Sequence, residues 1–348
     1  SSQLQLENWV LAREDLDKLP QQLEEAYCFE YLTWWQNFIH RTHPQHYQGY
    51  QQALQLTSQL HQSNAISRLI SFIQQQTSPE LTEKTALFNQ KIATQFTNLN
   101  LMSGSASQEL TENINELEKF LTTLSVVNDD GQTVFNLTKN RFSDNTQSDP
   151  LSALYTKARQ LPEPISSWAK QIADDTWFTF INESKEYLNK KWQQNIIQHY
   201  QNTIAKRYPF DASQKEEVSL ADFDRFFSPN GTLNEFVSYY LKPFLDTSHP
   251  QWQPKELNGY VLPISADLIN ELIRANVISN MFFPDNSSHS KIDFSLQKIN
   301  LDPVVANFQL AIGKTLLTDN QNSDSFTFFT WPQNDAKLNL NAIDGSHF

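Results

Sequence analysis

Glycine is scarce in this sequence of 348 residues: there are 7, at Gly49, Gly104, Gly131, Gly231, Gly259, Gly313 and Gly345. No two are close enough to form G-x-G-x-x-G or a Walker loop, where the backbone must approach a phosphate at φ values other residues resist. Rossmann and P-loop chemistry are thereby excluded. Cysteine is scarcer still. A lone Cys28 permits neither an internal disulfide nor a thiolate metal cluster, and by itself it leaves the compartment open. Basic side chains are outnumbered, 26 Lys+Arg against 39 Asp+Glu, for a formal net charge of -13. No basic stripe offsets this, and an acidic surface repels phosphate backbones, so no nucleic-acid partner is expected. Long apolar runs are also missing. None approaches the roughly 20 residues that cross a bilayer, so membrane contact is expected only through segments absent from this chain. The sequence opens on Ser1, without a methionine or signal peptide, and reads as a fragment of something longer.

What is present is mostly helical patterning, over a length sufficient for two domains and a sizeable core. Tyr27, Tyr31, Trp34, Trp35 and Phe38 recur at three- and four-residue spacings, which puts their rings on one broad helix face. Leu54, Leu60, Ile66, Leu69, Ile70 and Ile73 predict further helices, and Thr77-Ser78-Pro79-Glu80 marks a break and a new start. Leu110, Ile114, Leu117, Leu121 and Leu124 form another apolar stripe. Residues 126–150 then turn polar, VVNDDGQTVFNLTKNRFSDNTQSDP, and read as loop chemistry that could subdivide the helical region. Helical patterning resumes at Leu151 and runs through Trp168, Ile172, Trp177, Phe180, Trp192 and Ile196 to Tyr200.

At TIAKRYPFDAS, residues 203–213, Lys206 and Arg207 stand where cations offset the negative end of a helix dipole. Pro209 is expected to stop that helix, with Tyr208 and Phe210 packing its exit into the core. Ser219 with Asp222, and Thr232 with Glu235, fit capping boxes. They flank the turn Ser228-Pro229-Asn230-Gly231 and predict helices over Leu220–Phe227 and Leu233–Leu241. After about residue 246 the period changes. One helix is expected from Ser265 to Met281, near 265–282, with Leu268, Leu272 and Ala275 on one side. Beyond it Ile292/Phe294/Leu296, Phe308/Leu310/Ile312, Phe326/Phe328 and Leu338/Leu340 alternate with polar residues, the mark of half-buried strands. The fold class is therefore α+β: a multi-helical region over 1–246, followed by a smaller β-rich domain over 247–348, an antiparallel sheet or sandwich. No internal repeat stands out.

Candidate chemistry is thin. His40, His43 and His46 carry metal-ligand side chains, but Pro44 breaks any helix that could align them, and no carboxylate or cysteine lies within the run. Cys28 sits between Tyr27 and Phe29 in an apolar helical run, a place for packing rather than for an exposed nucleophile of lowered pKa. Glu216-Glu217, Asp222-Asp224 and Asp129-Asp130 could serve acid-base chemistry, yet such pairs in an acidic chain are ordinarily solvated faces or caps. No catalytic, cofactor or metal residue is assigned, and no enzyme is expected. The 24 Phe, 11 Tyr and 8 Trp remain, and core packing is their default role. Trp252 and Trp331, in turns, are the rings whose exposure would mark a partner surface.

The run RYPFDASQKEEVSLADFDRFFSPNGTLNEFVSYYLKPFLD, Arg207 to Asp246, resembles the C-terminal periplasmic region of the IcmF/TssM family, large inner-membrane proteins of bacterial secretion machines. Its RYPF, D-F-x-R-F-F helix, P-x-G turn, hydrophobic helix and P-F-hydrophobic-D ending stand at Arg207–Phe210, Asp222–Phe227, Pro229–Gly231, Leu233–Leu241 and Pro243–Asp246. Ile273-Arg274-Ala275 through Phe282-Phe283-Pro284, then Ile292–Leu296, Leu301-Asp302-Pro303, Gly313 and Trp331-Pro332, are similar to the same family's strand-rich end. Motifs are sharp from about 207 to 332 and loose before 200, where Trp168 and Trp192 match only aromatic helix positions. The resemblance implies a periplasmic, non-enzymatic scaffold that links inner- and outer-membrane components of a type VI or type IVB apparatus. The partners it implies are a DotU/TssL-like inner-membrane protein and, in a type VI system, a small outer-membrane lipoprotein docking on the β-rich tail; homo-oligomerisation is compatible with it. Two other readings of the residues stay open: a soluble hydrolase with a carboxylate pair in an interdomain cleft, and a cell-wall-glycan-binding module.

Overall fold

The computed structural model describes residues 18–77, 86–97, 105–126, 131–143, 149–318 and 325–343. Helices dominate the first part and small antiparallel sheets the last, the α+β class that the change of period predicts. Two compact units divide the chain: Ser1–Tyr187 with Leu257–Tyr260, and Leu188–Glu256 with Val261–Phe348.

The first unit contains α1 (Leu19–Arg41), α2 (Tyr50–Gln62), α3 (Ala65–Thr77), α4 (Ala86–Gln95), α5 (Ser105–Val126), α6 (Gln132–Ser143), α7 (Pro150–Ala158) and α8 (Ile165–Trp192) as far as Tyr187. α5 packs against α2, α3 and α7, burying Leu110, Ile114, Leu117 and Leu121 as the stripe requires. α2 meets it through small side chains instead of its leucines. Ala53 and Thr57 are fully buried, and the Thr57 hydroxyl donates to the Ala53 carbonyl at 2.8 Å, so no polar group is stranded in the seam. On α1 Trp35 is buried and lies beside the buried Ile73, Ile92 and Phe96, whereas Tyr27 and Trp34 are exposed. Cys28 is buried. α3 ends at Thr77; Ser78, Pro79 and Glu80 lie outside the described residues.

The polar stretch 126–150 corrects the sequence reading. Its centre is the helix α6, not a loop. Val134, Phe135, Thr138 and Arg141 are buried at helical spacing, so a threonine and an arginine complete a face on which only two residues are apolar. The Thr138 hydroxyl accepts from Ser184 at 2.8 Å. The guanidinium of Arg141 hydrogen-bonds Asp149 and, at 2.7 Å, the Ser152 hydroxyl, and it lies over the Trp177 ring 4.8 Å from its centroid. α8 is buried along most of its circumference, with Ile165, Trp168, Ile172, Thr176, Trp177 and Phe180 all enclosed. Its polar atoms are satisfied: Trp168 Nε1 donates to the Thr42 carbonyl at 2.6 Å and Trp177 Nε1 to the Leu257 carbonyl at 3.1 Å.

In the second unit α8 passes through a π-helical turn, Gln193–Ile197, into α9 (Gln198–Thr203). The helix ends there, ahead of Lys206 and Arg207, so these cations do not cap it and Pro209 does not stop it. Arg207 instead pairs with Glu216 at 2.6 Å. Tyr208 is exposed and holds the segment through backbone bonds, its N–H donating to Glu216 and its carbonyl accepting from Val218. Phe210 alone does the packing, against Tyr200, Phe223 and Phe227.

α10 (Leu220–Phe227) is capped by Ser219, whose hydroxyl accepts from the Asp222 N–H at 3.1 Å and donates to the Asp222 carboxylate at 2.7 Å. The second predicted cap is displaced. Gly231 is the N-cap of α11 (Thr232–Phe236), and the Thr232 hydroxyl reaches back to the Arg225 carbonyl. A Cβ on Gly231 would stand 2.8 Å from the carbonyl oxygens of both Arg225 and Phe226. Those atoms are backbone and cannot swing aside. Gly231→Ala is therefore expected to lower stability by about 1–3 kcal/mol, in the range of overpacked sites, read as a fall in urea midpoint at unchanged m-value. A π-helical turn (Val237–Leu241) and a short 3₁₀ turn (Lys242–Phe244) complete the helical part.

Then come the two-residue strands β1 (Leu245–Asp246), β2 (Gln253–Pro254), β3 (Glu256–Leu257) and β4 (Tyr260–Val261), and α12 (Ala266–Phe282). Ser265 caps α12 by accepting from Leu268 N–H at 3.2 Å. Five strands follow: β5 (Ile292–Gln297), β6 (Val305–Ile312), β7 (Thr315–Thr318), β8 (Phe326–Trp331) and β9 (Ala336–Ala342). They form a two-stranded sheet β5-β8 and a three-stranded sheet β7-β6-β9, all antiparallel.

Candidate interaction surface

Register decides which side chains the β5–β8 sheet shows to solvent. Phe294 faces Phe329 across the pair, their rings stacked 5.6 Å apart, and Phe329 is buried. Ile292, Phe294 and Leu296 are half-buried on this face, as the alternation in β5 predicts. β8 reverses the prediction. FTFFT carries aromatic rings on both faces, and pairing Phe329 inward turns Phe326 and Phe328 outward, 57% and 75% exposed. The same holds for Leu338 on β9, which is exposed, while Leu340 is half-buried.

The outer face thus carries Phe328 opposite Ser295, Phe326 opposite Gln297 and Thr330 opposite Asp293. Asp293 is fixed there, accepting from Thr330 Oγ1 at 2.6 Å and Lys291 Nζ at 2.8 Å. The Lys291 and Thr330 hydrogen bonds hold its carboxyl below the usual carboxylate range, so an anion stands beside the two rings at neutral pH. Among the described residues β5 and β8 pair only with each other. Trp331 lies at the strand end rather than in a turn, 37% exposed, with its ring edge-on to Phe282 at 5.9 Å. Trp252 is half-buried. Two exposed phenylalanines on a braced sheet offer apolar area and a fixed polar rim, which suits protein binding; burying such a ring in a partner contributes roughly 1.5–3 kcal/mol. Sequence periodicity missed both rings, because alternation alone does not say which face is covered.

The other candidates have local roles. His46 pairs with Asp175 at 3.0 Å, a carboxylate 129 positions away, and the His43 and His46 rings stand 6.0 Å apart. Among the described residues no group of three or more metal-ligating side chains converges. Asp224 accepts from the Ser290 N–H at 3.0 Å and lies 3.3 Å from His289. Glu216 holds Arg207, and Asp222 belongs to the α10 cap. Asp129 and Asp130 lie outside the described residues. Burial pushes the hydroxyls of Tyr47 and Tyr155 upward in pKa, away from the range of a general base at neutral pH.

The arrangement of helices and strands is shared with solved structures of type VI secretion membrane complexes. A structure described as type VI secretion system membrane core complex superposes with a TM-score of 0.67 at 18% identity, covering 95% of this chain and 70% of its own. A second, described as type VI membrane complex, gives 0.69 at 15% identity, covering 95% and 67%. Residues 183–288 match the family model for the type VI secretion protein IcmF helical domain, and residues 1–78 match the IcmF-related model, intracellular multiplication and human macrophage-killing. Type VI secretion system component TssM1 of Pseudomonas aeruginosa is 24% identical over 181 residues, 52% of this chain and 16% of that protein. The chain belongs to the IcmF/TssM family. It spans only that 16% of its curated relative. The match over 183–288 extends over the RYPF and D-F-x-R-F-F motifs; the match over 1–78 falls where the sequence shows helical periodicity and no family motif.

Proposed function

We propose that this chain is a periplasmic, non-enzymatic scaffold of a type VI secretion membrane complex, linking inner-membrane and outer-membrane components by protein–protein binding. Family membership and the likeness in fold to type VI membrane complexes support the assignment to such a complex. None of the described helices is long and apolar enough to cross a membrane, which fits a segment carried outside the bilayer. The β-rich region over 247–348 docks the outer-membrane lipoprotein, and the inner-membrane companion is a DotU/TssL-like protein.

The exposure of Phe326 and Phe328 on the outer face of β8 carries this reading. Large rings dominate binding energy when a partner encloses them, and a surface of this kind acts through a few anchors rather than its whole area. Phe326→Ser with Phe328→Ser is expected to weaken lipoprotein binding about 30-fold, the size of a hot-spot loss near 2 kcal/mol. Co-purification from envelope extracts and titration with the purified lipoprotein would measure it. Wild-type affinity in a folded double variant, or intact assembly of the apparatus after deletion of residues 250–348, would remove the docking role.

A further inference from the structure

A second surface lies wholly within the first unit. α3 and α5 enclose between them an open groove of about 640 Å³, within the ~300–1,000 Å³ range of small-molecule sites. The inner faces of these helices are apolar: Ile66, Ile70 and Ile73 on one, Leu110, Ile114 and Leu117 on the other. One step around each helix the chemistry changes. Asn64, Arg68 and Ser71 line one wall, and Gln108, Thr111 and Asn115 the other, each set repeating at three- and four-residue intervals so that it forms a continuous strip. Ser67 and Thr111 meet across the groove at 3.4 Å.

Among the described residues, the side chains of Asn64, Arg68, Gln108 and Asn115 have no hydrogen-bond partner in the protein, as holds for other exposed amides of this unit such as Gln51 and Gln55; what sets these apart is that they line one groove together. At the same groove the Phe72 ring is 48% exposed and meets the Trp35 ring, centroids 5.8 Å apart and planes tilted by 58°.

Free amides, hydroxyls and one exposed ring define a ligand by its chemistry. An amide donates and accepts at once, which matches hydroxyl groups that do the same on neighbouring carbons. A flat aromatic face takes the apolar C–H side of a pyranose ring. Arg68 and Glu112 both line the groove, so no excess of positive charge favours a polyphosphate, and with Phe72 the one large apolar side chain among the lining residues the walls suit an acyl chain or an amphipathic helix poorly. We propose that the α3–α5 groove binds an oligosaccharide of uncharged hexopyranose units, with Phe72 as the stacking platform and Asn64, Gln108 and Asn115 as hydroxyl readers. The inference is independent of the β8 docking face and of any secretion partner.

Titration of the full chain with chitotetraose and with cellotetraose, followed by calorimetry or ¹H–¹⁵N spectra, tests it. Binding of at least one sugar is expected, with Phe72→Ala and, separately, Gln108→Ala with Asn115→Ala each weakening it about tenfold, as for loss of a stacking ring or a pair of hydrogen bonds. Phe328→Ser serves as the control and leaves sugar binding unchanged. Binding of chitotetraose alone, with pelleting on purified peptidoglycan sacculi, identifies an amino-sugar polymer as the source. Binding of cellotetraose as well, or alone, identifies a plain hexose polymer. The proposal is overturned if neither sugar binds at millimolar concentration, or if the groove variants, folded by circular dichroism, bind as tightly as wild type.

Discussion

Asp149→Ala is expected to lower the stability of the helical unit by about 3–5 kcal/mol, the range for stranding one member of a buried ion pair. Arg141 and Asp149 expose only 10% and 16% of their side chains. Asp149 also caps α7, accepting from the Ser152 N–H at 2.7 Å, and loss of a cap by itself costs only about 1 kcal/mol. The larger part comes from Arg141. Its Nε is already buried without a partner, and its remaining protein contacts would be the Ser152 hydroxyl and the Trp177 ring. The double variant Arg141→Met with Asp149→Ala separates the two causes, because an apolar side chain of similar length leaves no orphaned charge. It is expected to be more stable than Asp149→Ala alone, with protection from hydrogen exchange restored in α6 and α7. Urea unfolding of the four combinations gives the coupling. Equal losses in the single and double variants would mean that the cap, not the charge, holds this corner.

That corner also shows where sequence reading runs out. α5 was readable because leucine and isoleucine repeat at 3.6-residue period across Leu110, Ile114, Leu117 and Leu121, and that period is a property of one helix. α6 was hidden because its buried face includes Thr138 and Arg141, whose burial depends on Ser184 and Trp177 of α8, some forty positions away, and on Asp149 and Ser152 beyond the next turn. β5 was readable by alternation. In β8 the same rule chose the wrong face, since Phe326, Phe328 and Phe329 supply rings to both sides and only the pairing of Phe329 with Phe294 settles the matter. The groove between α3 and α5 had no signal at all: its walls lie some forty positions apart, and amides at helical spacing look like an ordinary solvated face. Family motifs, by contrast, mark backbone and core demands. Gly231 is required by the close passage of two carbonyls, and the phenylalanines of D-F-x-R-F-F by packing.

Phe223→Ala is expected to cost about 3–5 kcal/mol as well, the usual range for removing a buried phenylalanine. Phe223 stands at the centre of an aromatic cluster, 5.1 Å from the rings of both Phe227 and Phe282, 5.9 Å from Phe283 and 6.4 Å from Phe210. It therefore ties together RYPF, the D-F-x-R-F-F helix and the Phe282-Phe283 end of α12, three of the strings by which the family was identified. The surrounding rings are held by separate elements and fill the space only in part, so a cavity term adds to the lost transfer energy. Phe282 in turn supports Trp331 at the end of β8, two residues from Phe329 and three from the exposed Phe328. Loss of Phe223 should accordingly loosen the β5–β8 sheet, seen as faster exchange of the Phe329 and Trp331 amides as well as a lower urea midpoint. Phe223→Leu, which fills most of the volume, should recover more than half of the stability and the slow exchange. If Phe223→Ala lowers the midpoint while the β8 amides stay protected, the cluster stabilises its helices without governing the sheet, and the docking face is held by β5 alone.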